Sequence, residues 1–161
     1  MGHRDPLRSC VVSRLVKVLI TLVVIAAVGV AGFFVFEYFD HHEKVKDAER
    51  ACGSLTSPTP GVALPTGLGS FAVPSDQTLL EVDSQGKTLV VYTITKGSRK
   101  DLVSLRDKVV AQLAAQGLTA SATDQEPTYE AEGQFSGTVS GTIQVQPQCQ
   151  GYDRIRYKFS L

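Results

Sequence analysis

Nineteen consecutive residues from Val18 to Phe36, VLITLVVIAAVGVAGFFVF, carry no charge; Lys17 closes one end of the run and Glu37 the other. A helix rises ~1.5 Å per residue, so such a run reaches roughly 28 Å, about the hydrocarbon thickness of a bilayer. Globular cores seldom use an unbroken apolar helix of this length. A cleavable secretory signal is the competing reading, with weak small-residue sites near Ala27 and Gly32. Its apolar region would, however, exceed the usual ~7–15 residues. Residues 18–39 are therefore expected to form a transmembrane helix, with Tyr38 and Phe39 at the interface.

The flanks set the expected orientation. Arg4, Arg8, Arg14 and Lys17 precede the run, against the single acid Asp5. Between Glu37 and Arg50 lie five acids and three basic residues, the nearest of which, Lys44, is seven positions past Glu37. Basic residues close to a span mark its cytoplasmic side. The sequence thus predicts a cytoplasmic tail at 1–17, a span at 18–39 and a helical juxtamembrane segment at 40–51. Beyond these it predicts a Gly/Pro-rich linker at 52–77, partly packed on the domain, and an extracytoplasmic domain at 78–161. The expected localisation is the cell membrane, single-pass, with the N-terminus inside and the C-terminal domain outside.

Cysteine usage fits that placement. Cys10 precedes the run, whereas Cys52 and Cys149 follow it, at opposite ends of the outer region. Two cysteines on the oxidising side predict one disulfide, Cys52–Cys149. The 110 residues from Cys52 to Leu161 suffice for one ordinary core. Nine basic and ten acidic residues leave them nearly neutral, which argues against a nucleic-acid partner.

Within the domain, TLLEVD and KTLVVYTIT flank Ser84-Gln85-Gly86 and predict a β-hairpin. A three-residue loop with left-handed glycine would set Asp83 opposite Lys87; a two-residue loop would shift the register. Ser98 reads as a helix N-cap with Asp101 three residues on, and Gly117 as the residue that ends the helix. Leu102, Leu105, Val109 and Leu113 make a stripe at helical spacing between them. After Gly117 the period becomes two. Ala131, Gly133, Phe135, Ile143 and Val145 share one parity, a turn falls within residues 137–141, and Ile155, Tyr157, Phe159 and Leu161 alternate with Arg154, Arg156 and Lys158. Such alternation marks antiparallel strands with one buried face. The expected architecture is an α+β, two-layer domain, ββαββββ in sequence, with one amphipathic helix on an antiparallel sheet.

No catalytic constellation emerges. A nucleophile needs a base beside it, and no histidine follows His42. For the same reason no zinc ligand set is expected, and no cofactor motif is recognisable. His41 and His42 are adjacent, about 100° apart on a helix, and suit one metal poorly. The acidic pairs Glu81/Asp83 and Glu130/Glu132 read as solvated strand faces. The candidate binding surface is the polar sheet face, carrying Gln144, Gln146, Arg154, Arg156 and Lys158, with Glu130 and Glu132 expected to face the same way and neutralise part of the basic row. Arg106 joins it as a cation within the apolar arc of the helix, where it must snorkel, pair with an acid or meet an anion. The function read from the sequence is a membrane-anchored, non-enzymatic interaction module of the cell envelope. Its partners would be the lipid bilayer and a protein or envelope component. An extracytoplasmic enzyme with an unrecognised site and a membrane-tethered ligand sensor are the rival readings.

Overall fold

The computed structural model describes Lys46 and residues 49–126 and 128–161. Two compact units divide the chain, Met1–His42 and Glu43–Leu161, and every described residue belongs to the second. The Val18–Phe36 run, Cys10 and His41-His42-Glu43 lie outside the described residues. Among the described residues no helix is long and apolar enough to cross a membrane.

The described residues form an α+β domain of one helix on a six-stranded antiparallel sheet. Its elements are β1 (Thr78–Gln85), β2 (Thr88–Lys96), α1 (Leu102–Ala115), β3 (Thr119–Glu126), β4 (Glu130–Ser136), β5 (Ser140–Cys149) and β6 (Tyr152–Ser160). Spatial order is β1-β2-β6-β5-β4-β3. α1 carries the chain from the β1–β2 hairpin to the far edge, and a four-strand meander returns until β6 closes against β2. Two inner rows are apolar across the sheet. Leu89, Phe159, Gly141 and Phe135 are consecutive partners in one; Val91, Tyr157, Ile143 and Gly133 are consecutive partners in the next. The Gly141 position in the first row has no room for a side chain, because a methyl group there would overlap the Lys158 carbonyl and the Phe135 ring.

The hairpin register differs from the three-residue expectation. Gln85 pairs with Thr88 and Asp83 with Val90, so Asp83 does not face Lys87 and the loop has two residues, Gly86 and Lys87. Gly86 takes φ 61° at the first loop position, where type II′ turns want glycine. The helix also begins later than the Ser98 signal implies. Ser98 closes a turn, its Oγ accepting from the Lys100 N–H (3.3 Å) and its carbonyl from the Asp101 N–H (2.7 Å). Asp101 is the N-cap residue. At the other end Gly117, φ 84°, completes a Schellman motif: Leu118 N donates to Leu113 O (3.1 Å) and Gly117 N to Ala114 O (3.0 Å). Leu118 enters the core as the accompanying apolar contact. Leu161, which parity placed inward, stands past the end of β6 and is exposed.

α1 contacts β3, β4 and β5, which leaves the inner side of β2 and β6 to be covered by something else. The segment before Thr78 supplies that cover. Leu68 and Phe71 belong to the core, and the Phe71 ring meets Tyr157 and Phe159 edge-on at centroid distances of 5.0 and 4.8 Å. The Gln116 side chain grips the Ala72 backbone on both sides, accepting from its N–H (2.8 Å) and donating to its carbonyl (2.9 Å). Further back, Thr59 N donates to Leu80 O on the outer edge of β1, and Leu55 lies with Tyr92 and Arg154 on the opposite face. Residues 53–77 are thus a strap that starts on the outer face, rounds the β1 edge and ends on the inner one. Its glycines and prolines permit the turns, and its scattered apolar residues pin it. The globular fold begins well before Thr78.

Cys52 and Cys149 form the disulfide, with α-carbons 5.0 Å apart, inside the ~7 Å beyond which two cysteines cannot be bridged without backbone movement. Gln150 N also donates to Arg50 O (2.9 Å), so the start of the strap is held at the β5–β6 turn twice.

Candidate binding surface

Strand pairing places the polar side chains of the outer face in rows. Arg156 on β6 pairs with Gln144 on β5, which pairs with Glu132 on β4. A primary amide is a neutral side chain that accepts at one end and donates at the other. Gln144 does both: Arg156 Nη1 donates to its Oε1 (3.3 Å), and its Nε2 donates to Glu132 Oε1 (3.2 Å) and Glu130 Oε2 (3.1 Å). Gln146 repeats the pattern one row along, accepting from Arg154 Nη2 (3.3 Å) and donating to Glu130 Oε2 (2.9 Å). Arg154 also lies over the Tyr92 ring, 5.5 Å from its centroid, an attraction worth about 0.5–1 kcal/mol at an accessible site.

The expected basic row is therefore largely compensated. Two arginines and two glutamates are joined through two glutamines, all six half-buried, and the exposed cation of the row is Lys158. The Nε atoms of Arg154 and Arg156 are buried without a partner, a desolvation cost carried by the ladder.

Arg106 does not belong to this surface. It projects from α1 on the opposite side of the sheet, is 5% exposed, and spends its guanidinium on the protein itself. Nη1 donates to the carbonyls of Asp124 (3.2 Å) and Glu132 (3.3 Å), Nη2 to Gln125 Oε1 (3.2 Å), and Nε pairs with Asp107 Oδ1 (2.9 Å). The register of β3 on β4 slips between Ala122 and Gln125, at that contact. Arg106 satisfies backbone acceptors that the bulge removes from the ladder. The apolar arc of the helix flagged the residue; the bulge that employs it left no mark in the sequence.

Three polar features escaped the sequence reading. Gln77, 9% exposed, accepts from Thr93 Oγ1 (2.7 Å) and Tyr157 Oη (2.9 Å) and so ties the strap to the core. Burial there pushes the Tyr157 phenol well above its ordinary range. At the strap's end Asp76 pairs with Lys108 (2.6 Å) and accepts from Gln112 Nε2 (2.8 Å); the lysine is the chief cause that holds its carboxyl below the usual value.

The third is Asp153, 1% exposed, whose Oδ2 has no hydrogen-bond partner. Burial raises its pKa to about 6, and the Asp101 charge adds to the shift. Parity alone could have found it, since Asp153 shares the inward phase of Ile155 and Tyr157.

Among the described residues no group of three or more His, Cys, Asp or Glu side chains is placed to hold a metal ion. Comparison with known proteins returns no relative: no family, no curated protein and no solved structure matches this chain.

Proposed function

We propose that this chain is a membrane-tethered, extracytoplasmic binding module, without enzymatic activity, whose outer sheet face receives a protein of the cell envelope. The observation that supports this reading best is the Arg–Gln–Glu ladder. Long polar side chains on an uncovered strand face ordinarily retain rotamer freedom, which a partner must suppress at ~0.5–1.5 kcal/mol each. Here Gln144, Gln146, Arg154 and Arg156 are held by one another and by two glutamates, so much of that ordering is already done. The compensated charge favours a polar protein surface over an anionic polymer. The Val18–Phe36 run is the proposed anchor. Arg14 and Lys17 support a cytoplasmic N-terminus, and the disulfide suits an oxidising outer compartment.

Site-specific photo-crosslinking of the full chain in intact cells tests the surface. A crosslinker at Thr142 or Lys158 on the outer face should give a discrete adduct, and one at the exposed Ala111 on α1 should not. The triple change Arg154→Gln, Arg156→Gln, Lys158→Gln should abolish the adduct made from Thr142. Equal adducts from both sides, or none from the outer face, would overturn the proposal. A reporter fused after Leu161 tests the topology: activity inside the cytoplasm would reverse it.

A further inference from the structure

The cavity at the disulfide end of the sheet holds two charged groups that the fold does not use. Its volume is ≈ 270 Å³, and its walls include Arg99 and Lys100 from the β2–α1 loop, Asp153 at the start of β6, and Cys149. Oδ2 of Asp153 and Nη1 of Arg99 are both buried, and neither has a hydrogen-bond partner. The two residues form no ion pair with each other, and among the described residues no other side chain neutralises either.

An isolated buried charge destabilises a fold, and folds ordinarily pair it or replace it. Here the buried Asp153 carboxyl and one buried nitrogen of the half-buried Arg99 guanidinium stand unpaired in the wall of one cavity. The arrangement around Asp153 is tight on its protein side: a methyl group on Gly97 would overlap Oδ2, and Gly97 N is engaged by Gly151 O (3.2 Å). The charge that acts on Asp153 is Asp101 at the N-cap of α1; Arg99 and Lys100 on the loop and Glu49 line the same cavity.

We infer that this cavity binds a small zwitterion of the amino-acid class, its ammonium set against Asp153 and its carboxylate against Arg99. One ligand with both charges neutralises both groups at once, which a simple amine or a simple carboxylate does not. A guanidinium is the side chain best shaped for a carboxylate, since its planar fork can donate two parallel hydrogen bonds. The volume falls just below the ~300–1,000 Å³ of drug-sized sites and so selects a small ligand. The zwitterion has two possible sources, a free amino acid and the chain end of a short peptide in which both charges are close. This inference goes beyond the sheet-face reading, involves none of the ladder residues, and stands if that face proves to bind nothing.

Isothermal titration calorimetry on the full chain in detergent, with thermal melts alongside, tests it. Glycine, alanine and lysine represent the free source and Gly-Gly the peptide source; ethylamine and acetate carry one charge each. At least one zwitterion should bind, and at least tenfold more tightly than ethylamine or acetate. Asp153→Asn and Arg99→Gln should each weaken that binding by tenfold or more while the melt stays cooperative. If either variant failed to fold, amide shifts of Gly97, Ser98 and Lys100 in the unaltered chain should still move with the zwitterion and not with acetate. The inference is overturned if no zwitterion binds, if ethylamine or acetate binds as well, or if folded variants bind unchanged.

Discussion

α1 and the strap cover the same face of one sheet by opposite means. The helix contributes Leu102, Val109 and Leu113, each 1% exposed or less, at regular spacing from one rigid rod. The strap contributes Leu68 and Phe71, then depends on single polar side chains: Gln116 gripping Ala72, Gln77 in the core, Asp76 on Lys108. A helix satisfies its own backbone, so its packing on the sheet rests chiefly on apolar area. An irregular segment must find outside partners for its N–H and C=O groups, and here Leu80 of β1, Thr95 of β2, Gln116 and Thr138 bond the backbone at Thr59, Asp76, Ala72 and Ser70. The difference implies that the helix half resists perturbation as a unit, whereas the strap half fails one contact at a time.

The largest effect should come from cutting the strap's attachment. The disulfide spans 97 residues, and closing a loop that long is worth on the order of 4–5 kcal/mol in chain entropy. Replacing both Cys52 and Cys149 by serine should lower the chain's denaturant midpoint by a corresponding amount. Denaturation in urea with and without reductant checks this: an unaltered midpoint on reduction would mean that the strap is held without the bond.

Next comes a direct test of the two covers. Leu113→Ala under the helix and Phe71→Ala under the strap each remove a buried side chain, at typical costs of about 2–5 and 3–5 kcal/mol. Leu113 lies in a regular element and should cost its full value in global stability. Phe71→Ala should cost less than its range allows, because the strap can lift while the sheet and helix remain folded. Equal global destabilisation, with a single transition for both variants, would show the strap to be part of the cooperative unit.

Asp153 makes the disulfide end of the sheet sensitive to pH. Burial holds its folded pKa at about 6, above the ordinary aspartate value of 3.8. As pH rises from about 4 to about 6 the unfolded chain gives up this proton first, so the folded state loses stability through that window. The shift corresponds to about 3 kcal/mol at neutral pH, taking 1.36 kcal/mol per unit. Asp153→Asn should match the unaltered protein near pH 4 and exceed it in stability at pH 7. Thermal melts across that range check the sign, and parallel curves for the two proteins would show that the carboxylate is not the cause.

How much of this was legible in the sequence follows from the same contrast. Elements that repeat were readable. The stripe Leu102–Leu105–Val109–Leu113 gave α1, the parity of Ala131 through Val145 and of Ile155 through Phe159 gave the buried face, and Gly117 gave the helix end. Elements fixed by one contact were not. Nothing local marks Gln116 as the partner of Ala72, 44 positions away, or Gln77 as the acceptor for Tyr157, 80 positions away. The outer face was half-readable. Alternation placed Arg154 and Arg156 on it and allowed Glu130 and Glu132 to neutralise part of the row, but which side chain meets which across β6, β5 and β4 depends on register, and register set the two glutamines between the opposite charges. Ser98 misled because the same side chain that caps helices also closes turns.

The smallest expected effect is also the most specific to the strap. Gln116 stands just past the end of α1 and uses both ends of its amide on the Ala72 backbone, as a neighbouring strand would. Gln116→Ala removes both bonds and leaves an N–H and a carbonyl to water. Each hydrogen bond is worth about 0.5–1.5 kcal/mol net, so the loss is at most ~3 kcal/mol, and less where solvent can step in. Ala72 and Gln116 are both accessible, so water replaces part of what is lost and about 1 kcal/mol should remain. Gln116→Glu keeps the acceptor for Ala72 N but sets a second oxygen against Ala72 O, so it should be no better than alanine at neutral pH. Hydrogen exchange resolves where that energy resides. The Ala72 and Phe71 amides should exchange several-fold faster in either variant, while Val91 and Ile143 in the sheet keep their rates. If the sheet amides accelerated equally, the strap and sheet would open together, and the distinction between the two covers would collapse.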